Sequence, residues 1–157
     1  MKNLTLIFIL TFTILISSCK VADDNNSNPG DSNLIDLVVG TWQPLKDVRF
    51  CTGGNEIVDI DECGQKGRLT INSNGTYSES FYEMFDGNCT PNEEESGTWE
   101  IRNGKLFGDN EEVTFFEVEK NILRVGEVQQ NGGPIVPCSD TIGGSFTHSY
   151  TELVRVQ

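Results

Sequence analysis

The sequence predicts an all-β domain, a small antiparallel up-and-down barrel of about eight or nine strands. Three observations carry this expectation. From Gly67 onward, short runs of alternating apolar and polar residues recur at even spacing, as in Arg68-Leu69-Thr70-Ile71-Asn72 and Tyr77-Ser78-Glu79-Ser80-Phe81-Tyr82. Turn signals divide them, above all Asn74-Gly75 and Asn103-Gly104, which suit hairpin turns that need positive φ. No sustained 3.6-residue period competes with the alternation. Consecutive hairpins favour a closed meander, because closure removes exposed strand edges.

The N-terminus is set aside before the fold is considered. Met1-Lys2-Asn3 is a short basic stretch, Leu4 to Ile16 is apolar, and Ser17-Ser18-Cys19 ends the run. Such a run is shorter than the roughly 20 residues a spanning helix needs, so it reads as a signal peptide over residues 1–18. Ile16-Ser17-Ser18-Cys19 resembles the bacterial lipobox, which implies cleavage before Cys19 and a diacylglycerol on its thiol. Plain secretion is the alternative. Residues 19–33 are polar and acidic, with too little apolar mass to order themselves, and are expected to be a flexible tether. Lys20 and Asp23-Asp24 resemble the surface-export signal of lipoproteins in Bacteroidetes-type bacteria. That resemblance implies a lipid-anchored outer-membrane protein exposed at the surface; a solvated linker would carry the same residues.

Residues 34–157 form the expected domain. Leu34 to Val39 fit one helical turn, with Ser32 or Asn33 as its cap. Gly40-Thr41-Trp42 opens the first strand, and Pro44 fits its end or a bulge. Asp47 to Asp61 reads as a short strand, a loop and an irregular approach to Cys63. Leu69 to Ile71 and Tyr77 to Tyr82 form a hairpin about Asn74-Gly75, and Glu83 to Glu95 is a polar loop turning at Asp86-Gly87-Asn88. Strands follow at Gly97–Ile101, Lys105–Phe107, Val113–Val118 and Ile122–Val128, joined by tight turns. Gln129 to Gly144 is a long Gly/Pro loop, and Ser145 to Val156 is the last strand.

Charge and cysteines narrow the function. With 24 acidic against 11 basic residues the net charge is −13, which repels nucleic acid; no nucleic-acid partner is expected. Besides Cys19 there are Cys51, Cys63, Cys89 and Cys138, an even number that suggests two disulfides with three possible connectivities. A zinc site would want closer cysteine spacing and more than one His. No metal or cofactor is expected. Asp59 to Glu62 and Glu93 to Glu95 lack the spacing of a calcium loop and read as solvated charge. Nothing pairs a nucleophile with a base, so the chain is not expected to be an enzyme. Asp140-Thr141-Ile142 resembles an O-glycosylation acceptor of Bacteroidetes.

Taken in order, Gly40-Thr41-Trp42, Cys63, the Leu69-to-Tyr77 hairpin, Cys89 and Gly97-Thr98-Trp99 resemble the lipocalin-like domain lipoproteins of Bacteroidetes. The resemblance covers most of residues 36–156 and implies a small lipocalin-like barrel. It further implies a Cys63–Cys89 disulfide, which leaves Cys51 for Cys138. In lipocalins a first-strand Trp plugs the closed end and a last-strand Arg packs across it, roles that fall to Trp42 and Arg155. A small or apolar ligand is then expected in the open end. A filled barrel that meets an envelope protein is the alternative.

Strand parity proposes the interior. If Tyr77 and Phe81 point inward, so does Glu79; if Phe146 and Tyr150 point inward, so does His148. Leu69, Ile71, Trp99, Ile101 and Leu153 would be core, although Leu153 has the opposite parity from Tyr150. Tyr77, Glu79, Phe81 and His148 are therefore the candidate ligand contacts. For Glu79 and His148, a place on the wet rim is the competing reading.

Overall fold

The computed structural model describes residues 29–129, 137–138 and 142–156. The expected signal peptide, Cys19, and Asp140-Thr141 of the glycosylation-like triplet lie outside the described residues. A helix α1 (Pro29–Val38) precedes ten strands: β1 (Gly40–Cys51), β2 (Gly54–Asp59), β3 (Arg68–Ile71), β4 (Thr76–Phe85), β5 (Asn88–Arg102), β6 (Lys105–Gly108), β7 (Glu111–Glu112), β8 (Phe115–Glu119), β9 (Ile122–Val128) and β10 (Phe146–Val156). A 3-10 turn at Gly64–Lys66 leads into β3.

The strands run antiparallel in the order β7-β6-β5-β4-β3-β1-β10-β9-β8, with β2 also on β1. First and last strands lie side by side, from Thr41↔Val156 to Cys51↔Phe146. On its other side β1 pairs with β3 through Gly40–Trp42 and with β2 through Lys46–Cys51. Pro44, which has no N–H to donate, sits where the β1–β10 register shifts. The order is that of a meander wrapped back on itself, as the alternation predicts.

Closure is incomplete. The ladder ends at β7 and β8, which are joined along the chain by Val113-Thr114 but not paired. β5 pairs with β6 only from Trp99 onward, so its Asn88–Thr98 half has a neighbour on the β4 side alone. The expected gain of closure, no free edge, is thus only partly realised. Glu93, Glu94 and Glu95 lie on this free stretch, where charge discourages pairing with another chain.

Three local expectations need correction. The helix starts at Pro29, inside the stretch 19–33 expected to be a flexible tether, and Asp31 is buried. Its carboxylate accepts the N–H groups of Asn103 and Gly104 at 3.1 and 2.7 Å, pinning the helix to the β5–β6 turn. Glu83 to Glu95 is no loop but a continuation of the β4–β5 hairpin around Asp86-Gly87, both with positive φ. At Asn74-Gly75 only the glycine has positive φ. Asn74 instead accepts the Thr76 N–H at 3.1 Å with its side chain, which favours a wider turn over type I′.

The core gathers at the end covered by α1. Trp42, Leu123 and Val38 are fully buried, with Ile71, Trp99, Ile101, Leu106 and Leu153 around them. Trp42 donates Nε1–H to the Val38 carbonyl at 2.9 Å, and the Arg155 guanidinium lies 4.2 Å from its ring centroid. Arg155 also donates to the carbonyls of Leu37, Val39 and Lys120. It therefore satisfies carbonyls left open at the end of α1 and places a cation there. Gly40 makes this possible, because a methyl group at that position would run into the guanidinium.

Gly97-Thr98-Trp99 repeats the device with opposite charge. Gly97 leaves room for the Asp109 carboxylate, which accepts the Thr98 N–H at 2.7 Å and the Tyr77 hydroxyl at 3.0 Å. Trp99 donates Nε1–H to the Asn72 carbonyl at 2.8 Å. Asp109 thus takes the ladder donor at the point where β6 leaves β5 and the wall opens.

Both disulfides sit at the other end. Cys63–Cys89 ties the 3-10 turn to the β4–β5 hairpin, and Cys51–Cys138 ties the end of β1 to the stretch before β10. The pairing is the one the family resemblance implies.

Candidate functional site

The interior is a trough, shut at the α1 end and open at the disulfide end. Its part nearest the α1 end, about 180 Å³, is walled by Leu69, Ile71, Trp99, Leu106, Val113 and Val125 and also opens sideways past Phe107 and Gly108, where the sheet is not closed. A wider part of about 350 Å³ continues upward past Leu69, Glu79 and Val125, and adds Pro44, Phe81 and Leu153. A third space of about 420 Å³ shares Asp47, Val125 and Thr151 with it and reaches Arg49 and Glu56 at the rim. The lining changes from apolar at depth to polar at the mouth, the arrangement that seats a small molecule by shape and orients it by a few polar groups.

Strand alternation sets this lining. On β10, Leu153 and Thr151 face in; on β9, Leu123 and Val125; on β3, Leu69 and Ile71. Ile71↔Tyr77 and Leu69↔Glu79 are register pairs, so Tyr77 and Glu79 face the same interior. Tyr77 is partly buried and its hydroxyl is held by Asp109; burial first, then this bond, raise its pKa. Asp109 is held below the usual carboxylate range, mainly by the Thr98 N–H and then by the Tyr77 hydroxyl.

Glu79 is the polar group in the middle of the trough. Burial, and secondarily the charge of Glu95, push its carboxyl above the usual range. Glu95 is its direct partner across β4–β5 and therefore lies on the same face. Phe81 lines the wider part of the trough near its mouth and is 38% exposed, next to a bulge between Ser80 and Tyr82. Asp47 accepts the Thr151 hydroxyl at 2.6 Å higher on the wall.

His148 is not inside. It shares a face with Tyr150, as expected, but that face is the outer one, because Leu153 and Thr151 take the interior positions. Its ring stacks between Phe50, at 4.1 Å, and Phe115, at 5.3 Å, and Phe115 continues the stack to Tyr150 at 5.0 Å. A register shift between Phe50 and Cys51 moves Phe146 off this face, which is why the parity argument from Phe146 fails. The opposite parity of Leu153 was the usable signal. His148 is thus a member of an external aromatic row and lines none of the trough.

Leu69, Val125, Asp47 and Thr151 are the lining residues that sequence reasoning did not single out as contacts. The sequence pattern places Leu69 only in the core. Val125 was accessible from the alternation of Leu123 and Val125. On the outer face Glu152 is buried between Lys46, at 3.0 Å, and Arg124, at 2.7 Å, and Arg124 reaches Glu117 at 3.2 Å. Burial alone would raise the Glu152 pKa, but the bonds from Arg124 and Lys46 outweigh it and hold the carboxyl below its ordinary range. Among the described residues no group of three or more His, Cys, Asp or Glu is arranged to hold a metal ion.

No curated protein and no solved structure matches the chain. The model of one family, described as the lipocalin-like domain, matches residues 38–125, from the last residue of α1 into β9. That span holds the trough's β3, β4 and β5 walls, Trp42 and both Gly-Thr-Trp motifs. The chain belongs to the lipocalin-like domain family.

Proposed function

We propose that this protein is a lipid-anchored envelope protein whose barrel binds a small, largely apolar molecule and performs no catalysis. The observation that carries the reading is the trough, mainly apolar toward the α1 end and more polar toward the disulfide end. The proposed anchor at Cys19 lies ten residues before Pro29, where α1 begins on the closed end. Tethered there, the barrel would turn its mouth away from the membrane. Residues 20–28 then serve as the link, and the Lys20 and Asp23-Asp24 signal supports an outer-membrane position facing outward.

Two experiments test this. Cys19→Ala should release the protein from the membrane fraction; unchanged fractionation would refute lipidation. A native mass spectrum of the protein drawn from its own cells should show an adduct of small-molecule mass, whereas bare protein in every preparation would refute ligand binding.

A second reading is favoured by the exposed apolar residues at the open end. Ile57, Val58, Met84, Phe85 and Val128 are each more than 40% exposed, and all lie on the upper parts of their hairpins. They would suit an envelope protein partner docking on the rim. Cross-linking in intact cells that returned only monomer would count against it.

A further inference from the structure

We propose that the wall around Glu79 recognises a cation, and that the ligand of the trough is a small amphiphile with a protonated amine on an apolar body. The proposal rests on the reading that the trough is a ligand site. Its starting point is an arrangement the fold does not need. Glu79 and Glu95 are direct partners across β4–β5 on the inner face, and among the described residues neither forms an ion pair. Like charges placed directly opposite each other weaken a sheet. Polar neutral or β-branched residues at either position would serve the strand better.

Among the described residues no base forms an ion pair with either member of the pair. Arg68 borders the wider space beside Glu79, but its Nη1 donates to the carbonyls of Gln65 and Gly67 at 2.7 and 2.6 Å, and it forms no ion pair with either carboxylate. Arg49, at the rim, lies 5.3 Å from the Phe146 ring. Asp47, higher on the same interior surface, adds a further negative group. The raised pKa of Glu79 has the same origin, since burial and Glu95 both disfavour its charge and a bound cation would remove the second cause.

The space below Glu79 selects the rest of the ligand. Leu69, Ile71, Leu106 and Val113 offer apolar walls, and Trp99 and Phe107 line the same space. An apolar body would fill this depth, leaving its charged end level with Glu79 and within reach of aromatic edges or faces. A fatty-acid carboxylate would instead meet Glu79, Glu95 and Asp47 in a chain of net charge −13.

The test uses the mature chain with octylamine, octan-1-ol and octanoate, which share one alkyl chain and differ in head-group charge. Binding is read by calorimetry at neutral pH. Octylamine should bind about ten-fold tighter than octanol, with octanoate weakest, since a charged hydrogen bond contributes about that factor. In Glu79→Gln the amine should lose that advantage while octanol binding is kept. Equal binding of all three probes, or an amine preference that survives in Glu79→Gln, would overturn the cation site and leave the trough as a ligand site. No binding of any probe would overturn both.

Discussion

Arg155→Met asks whether the closed end is held by a hydrogen-bonded cation or by packing alone. Methionine keeps an unbranched apolar stem over Trp42 and removes the guanidinium. Two part-buried bonds disappear, to the carbonyls of Val39 at 2.7 Å and of Leu37. At roughly 1–1.5 kcal/mol each they amount to about 2–3 kcal/mol. The stacking of the cation on Trp42 adds about 0.5–1 kcal/mol, and the exposed bond to Lys120 adds little. The expected loss is therefore about 3 kcal/mol, or on the order of 10 °C in Tm for a domain of this size. Arg155→Lys should recover only a small part, because an ammonium cannot span several carbonyls as a planar fork does. Urea titration of the mature chain, followed by tryptophan fluorescence, measures all three proteins. Gly40→Ala should destabilise the wild type strongly, because the added methyl displaces the same guanidinium, and its cost should shrink in the Arg155→Met background. An Arg155→Met protein within about 0.5 kcal/mol of wild type would refute the reasoning, since that is the ordinary scatter of surface substitutions.

The remaining predictions concern pH and the disulfides. Glu79 has a raised carboxyl pKa in the folded chain, so the wild type should lose stability as pH rises from the unfolded carboxylate range through the folded value. Glu79→Gln should then be the more stable protein at neutral pH and lose that advantage in acid; a variant less stable at neutral pH would contradict this. Glu152 has the opposite sign: its contribution is full above the unfolded carboxylate range and is lost as pH falls through the lowered folded value. Glu152→Gln should cost about 1.5–3 kcal/mol at neutral pH and progressively less in acid, as followed by denaturation at a series of pH values. The disulfides close stretches of 26 and 87 residues, for which chain entropy gives roughly 3.5 kcal/mol for Cys63–Cys89 and 4.6 kcal/mol for Cys51–Cys138. Paired Cys→Ser variants should therefore rank in that order in urea; a reversed ranking would show that chain entropy does not govern them.

Much of the sheet was legible because alternation and turn chemistry are local. Leu69–Ile71, Tyr77–Tyr82 and Asn103-Gly104 announce strands and turns by their own residues, and the structure bears them out. Tyr77 and Glu79 could be assigned to one face for the same reason. What failed needed partners distant in sequence. Asp31 looks like linker charge until the β5–β6 turn is seen to present two N–H groups to it. The hairpin extension from Glu83 to Glu95 is polar because one of its edges is unpaired, and polarity alone reads as loop. His148 was misplaced by a single register shift, which turns Phe146 away from the face of Tyr150. The open stretch between β5 and β8 follows from where β6 stops, and there Asp109 replaces the next ladder partner.

On the proposed function the barrel interior, and not its surface, receives a small ligand. Methyl NMR of the mature chain during an octylamine titration tests it most directly. Saturable shifts are expected at the methyl groups of Leu69, Ile71, Leu106, Val113 and Val125, with those of Val38 beneath Trp42 nearly unmoved. Shifts confined to Ile57 and Met84 on the exterior, or no saturable shift at the trough methyls, would contradict it.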